Sequence, residues 1–167
     1  MRSQEISRQR LTSLEDILEI LYEKLGEFQK ELVVTASTPA KTELKMRIKR
    51  EILPDIRKYE VEYGELLYQG ADAYFISDLQ AENALMRVIE AVERLEMQRS
   101  INYPDELLRL LTEIRAKLDE PGKTASAKLK VALPIVPAIA SYELEMDTEA
   151  LMVRSWQQVK SLFRGRG

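Results

Sequence analysis

The chain has neither cysteine nor histidine among its 167 residues. Disulfides, thiolate nucleophiles, imidazole bases and zinc sites built from those side chains are therefore excluded. Glycine and proline are scarce, six of each, too few turn formers for an all-β chain of many short strands. No apolar run approaches the roughly 18–20 residues of a membrane-spanning helix. The opening "MRSQEISRQR" contains no apolar core, so no secretory signal is expected. A net charge of -3 gives no general case for nucleic acid. Acids are also missing after Glu149, which leaves a basic C-terminal end.

What remains is 45% hydrophobic and 32% charged, a foldable balance. Leu11, Leu14, Leu18, Leu21, Leu25, Phe28 and Leu32 recur in alternating steps of three and four, a coiled-coil rhythm. Ile17 and Ile20 widen that stripe, and the pattern predicts a helix over about 8–34. In "ASTPAKTE", Ser37 or Thr38 can cap a second helix, with Pro39 in its first turn. Leu44, Ile48, Ile52, Ile56, Tyr59, Tyr63 and Leu66 or Leu67 mark its apolar face, and Pro54 is expected to kink or split it. The expected fold class is all-α: a long antiparallel hairpin over 8–69, then a compact helical bundle over 72–164.

Within the bundle, Ser77 and Gln80 read as a capping box before Leu85, Val88, Ile89, Val92 and Leu95. Pro104 sits in the first turn of a helix with Leu107, Leu111, Ile114 and Leu118 on its apolar face, and Pro121-Gly122 closes it. Asp147 or Thr148 can cap a last helix. There Met152, Trp156, Val159 and Phe163 share a narrow face, with Arg154, Lys160 and Arg164 lying away from it.

The uncharged run Val131–Ala140 holds Pro134 and Pro137. Proline disfavours helix in the preceding residue, so Leu133 and Val136 are expected to be extended and the chain to break between two short helices. Apolar residues at such a corner imply burial.

Candidate chemistry is thin. "PGKTAS" lacks the first glycine of a phosphate loop, since position 117 is lysine, and a helix terminus is expected there instead. The acid pairs Glu15/Asp16, Glu60/Glu62 and Glu143/Glu145 fit polar helix faces better than metal or acid–base sites. Lys41, Lys45, Arg47, Lys49 and Arg50 are expected to pack beside the acid-rich first helix. Tyr59, Tyr63, Tyr68, Tyr74 and Phe75 gather about Gly70, suiting either packing or an interface.

"LVVTASTPAKTELKMRIKREILPDIRKYEVEYGELL", "YPDELLRLLTEIRAKLDEP" and "AKLKVALPIVPAIASYELEMDTEALM" together cover most of the chain. They resemble helical regions accompanying bacterial conflict-system signalling proteins, beside STAND NTPase, caspase-like, CHAT or TIR modules. The resemblance implies an adaptor or assembly role and carries over no catalytic residue.

The expected protein is a cytoplasmic, non-enzymatic interaction module without cofactor or metal. It would associate with itself or a protein partner through Leu11, Leu14, Leu18, Leu21, Leu25 and Phe28. The alternative is a membrane-associating effector using Val131–Ala140 and the face of Met152, Trp156, Val159 and Phe163 with Arg154, Lys160 and Arg164.

Overall fold

The computed structural model describes residues 2–98, 102–146 and 149–164, and every regular element among them is helical. In order these are α1 (Arg2–Val34), α2 (Thr38–Arg47), a π-helical segment (Ile48–Ile52), α3 (Leu53–Gln69), a 3-10 turn (Ala71–Ala73), α4 (Asp78–Met97), α5 (Asp105–Leu118), α6 (Ala125–Ala132), α7 (Val136–Glu143) and α8 (Leu151–Arg164). The all-α class read from the periodicity is what the chain adopts. It divides into two compact units, Met1–Tyr63 and Gly64–Gly167, with the boundary inside α3.

In the first unit, Arg10 forks onto Glu62 at 2.5 and 2.9 Å, and the Tyr63 hydroxyl donates to Glu15 at 2.7 Å. The Arg47 guanidinium lies 4.8 Å from the Phe28 ring centroid. Low numbers on α1 thus meet high numbers across the α2–α3 run, and the chain reverses direction. Ser37 caps α2 by accepting from the Ala40 N–H, with Pro39 in the first turn.

Pro54 neither ends nor splits the second run. The Leu53 N–H reaches back five residues to the Ile48 carbonyl, which defines the π turn immediately before the proline. Proline lacks an N–H and its ring crowds the carbonyl four residues back, here that of Arg50, so one widened turn relieves both problems. The widening also corrects the wheel. Apolar positions spaced by four drift about 40° per step on a 3.6-residue helix, and a wider turn absorbs part of that drift. Leu44, Ile52, Ile56 and Tyr63 are all buried.

In the second unit α4 packs against α5, α6 and α8, while α7 packs against α5 and α8. The Ser77/Gln80 capping box forms as expected, with both reciprocal bonds at 3.2 Å. Pro104 stands one position earlier than expected, at the N-cap of α5. Thr124 of "PGKTAS" caps α6 by accepting from Ala127 N–H at 3.2 Å, a helix start preceded by Gly122 at φ +79°. Left-handed backbone there is the conformation glycine allows after a helix end.

The proline corner differs from expectation in conformation. Leu133 (φ -53°, ψ -40°) remains right-handed helical, and Val136 is already the first residue of α7. Two tight hydrogen bonds, Leu133 N–H to Lys130 and Ile135 N–H to Ala132, hold the turn between the helices. Burial overrides the local preference for extended backbone, because Leu133, Ile135, Val136, Ile139 and Ala140 can all turn inward only from a compact turn. The corner is buried, as read.

Candidate functional site

Leu14, Leu18 and Leu25 are buried within the chain. Leu11, Leu21 and Phe28 are only half-buried, and Phe28 carries Arg47 on its ring. A two-helix unit offers α1 only one partner helix, so the stripe's centre is covered and its margins stay open. Ile20, on the far side, is 64% exposed.

The basic stretch packs beside α1, as expected, but not through its charges. Arg47 pairs with Glu51 in its own helical run at 3.5 Å, and Lys45, Lys49 and Arg50 are exposed. Glu19, Glu23, Glu27 and Glu31 of α1 are exposed as well. Among the described residues these two groups form no ion pair with each other. The helices meet through their apolar edges, which turns the charged faces outward.

Two of the carboxylates assigned to polar helix faces, Glu60 and Glu143, are instead buried and structural. Glu60 is buried on the covered side of α3 and accepts the Tyr22 hydroxyl at 2.7 Å; burial, then the neighbouring Glu60, pushes the Tyr22 phenol well up. Glu143 is buried and accepts the first free N–H groups of α8, Met152 at 3.0 Å and Val153 at 2.8 Å. Those donors would otherwise be orphaned at a buried helix end. The expected caps, Asp147 and Thr148, lie outside the described residues. A carboxylate directly after an uncharged run was the available signal for Glu143.

Burial raises the Glu143 carboxyl above its ordinary value, against the two N–H donors and Arg154, which pull it down. Stability from a raised acid is greatest when it is protonated, and falls as pH climbs from the ordinary value through the folded one. Glu62 acts in the opposite sense. The Arg10 guanidinium bonded to it holds it low, so its contribution is present above the ordinary value and is lost as pH drops through the folded one. In thermal melts from about pH 3 to 8, Glu143→Gln should flatten the decline on the upper side and Glu62→Gln the decline on the acid side. Melting curves of Glu143→Gln that stay parallel to wild type throughout would contradict the assignment.

The α8 face of Met152, Trp156, Val159 and Phe163 is buried in the second unit. Lys160, placed by the wheel away from that face, is buried too, its ammonium 5.6 Å from the Trp156 centroid. A long stem lets lysine cover apolar surface that a simple wheel assigns to solvent. Arg154 and Arg164 are exposed. Beside Arg154, a groove of ≈ 630 Å³ runs between α4 and α8, with Met86, Arg87 and Glu90 on its other wall.

The aromatics about Gly70 do not form one platform. Tyr63 bonds Glu15, Tyr74 meets Phe163 edge-on at 5.2 Å, and Phe75 is 72% exposed. Among the described residues no group of three acids could hold a metal ion, and no helix is long and apolar enough to cross a membrane. No family model, curated protein or solved structure matches the chain.

Proposed function

We propose that the chain is a helical interaction and oligomerisation module that performs no chemistry of its own. It would act in the cytoplasm as an adaptor or assembly region of a bacterial signalling or defence system. The observation that carries this is the partial cover of α1. Leu14, Leu18 and Leu25 are buried, whereas Leu11, Leu21 and Phe28 are only half-buried along a 33-residue helix. A coiled-coil-like margin of that length offers a ready surface to another helix. The resemblance to accessory regions of conflict-system proteins points the same way. The membrane alternative has less support, because the α8 face and the proline corner are both committed to the core of the second unit.

Light scattering on the full chain over a wide concentration range tests it. Leu21→Glu, at a half-open position, should weaken association and leave the melting of the protein nearly unchanged. Leu14→Glu buries a charge at a fully covered site and should unfold the first unit, costing several kcal/mol. A strict monomer that Leu21→Glu leaves unaltered would remove the self-association part of the proposal.

A further inference from the structure

Resting on that proposal, the geometry points to its partner: we infer that the first unit binds a second copy of this chain head to tail, the outer face of α1 against the outer face of α2. The outer face of α1 is predominantly acidic, with Asp16, Glu19, Glu23 and Glu27 exposed around Ile20 and Lys24 exposed among them. That of α2 and the π-helical segment after it is predominantly basic, with Lys45, Lys49 and Arg50 exposed around Met46, itself 41% open, and Glu43 exposed beside them. Each face thus has an apolar centre with charge of one dominant sign about it, and the signs are opposite.

The α2 side also holds a hollow of ≈ 390 Å³, lined by Pro39, Thr42 and Met46 together with two arginines, Arg47 and Arg50, and two carboxylates, Glu43 and Glu51. An aliphatic side chain such as Ile20 is suited to fill it.

The two faces are different surfaces of one molecule, and each points away from the other helix. The contact is therefore heterologous: one copy can use its acidic face for one neighbour and its basic face for another, and nothing closes the series at two. Because the recognition is ionic, salt should dissolve it.

The test uses the full chain in light scattering at about 0.01 M and about 1 M salt, where the screening lengths are roughly 30 and 3 Å. Wild type should grow in mass with concentration at low salt and fall to single chains at high salt. Two variants separate the faces: E19Q/E23Q/E27Q and K45Q/K49Q/R50Q, all at exposed positions, with circular dichroism confirming the fold. Each variant alone should be a single chain. Their equimolar mixture should reach a mass of two chains and stop, because each supplies the face the other lacks.

Growth of the mixture beyond two, or wild-type association that neither variant weakens, overturns the inference; in the second case sensitivity to Leu21→Glu would leave the interaction module standing. Single chains under every condition overturn the inference together with the self-association part of the proposal. A monomer whose basic face instead retains anionic vesicles or duplex DNA overturns the choice of partner.

Discussion

Replacing Trp156 by alanine should destabilise the second unit by about 3–5 kcal/mol, enough to unfold a domain of ordinary stability. The indole is 1% exposed and shares its face of α8 with Met152, Val159 and Phe163, each at most 2% exposed. The space left would be walled by docked helices, since α4 and α7 both pack on this helix. The Lys160 ammonium would also lose the ring beside it while staying mostly out of water. Urea unfolding followed by far-ultraviolet circular dichroism measures the change. Gln157→Ala, at the exposed neighbour, serves as control and should stay within about 0.5 kcal/mol of wild type.

The Trp156 result also bears on the membrane alternative. Deleting 148–167 is the obvious test of a basic amphipathic tail, but it would strip four core side chains. Lost vesicle binding by the truncated protein would then report unfolding. Arg154→Gln, at an exposed site on the same helix, removes a charge and keeps all four core side chains. If Trp156→Ala instead melts like wild type, α8 is not docked in solution and its apolar face is free for a membrane after all.

Gly64→Ala should destabilise by about 1–3 kcal/mol, the reverse of what alanine does in most helices. A methyl group at Gly64 would stand 2.4 Å from the Leu133 carbonyl oxygen and 2.8 Å from Pro137 Cγ. One neighbour is backbone and the other a rigid ring, so neither moves aside cheaply. Gly26 supplies the opposite case within α1, since a Cβ there would meet nothing within 4 Å. Gly26→Ala should therefore stabilise by roughly 0.5–1 kcal/mol through helix propensity alone. Thermal melts of the two variants side by side check the contrast. Equal shifts would mean that α3 does not approach the proline corner as closely as described.

The two glycines mark the border between what was legible in the sequence and what was not. Both sit inside helical patterns, and nothing local distinguishes Gly64 from Gly26. Only the approach of a distant segment, about seventy residues on in the chain, makes one of them indispensable. Pro54 shows the same limit. Its effect on the chain was foreseen, but whether the helix kinks, splits or widens depends on keeping Leu44, Ile52 and Ile56 against one partner.

Periodicity by itself determined that the chain is all-helical, roughly where each helix lies, and which capping residues start several of them. These follow from interactions within one or two turns, which the order of side chains specifies directly. Tertiary structure decided how much of each stripe is used up. It left Leu21 open beside the covered Leu18 and Leu25, and turned the acids of α1 and the bases of α2 outward rather than together. It also took Lys160 and Glu143 into the interior. Burial depends on which elements meet and at what angle, and a helical wheel holds no information about its neighbour.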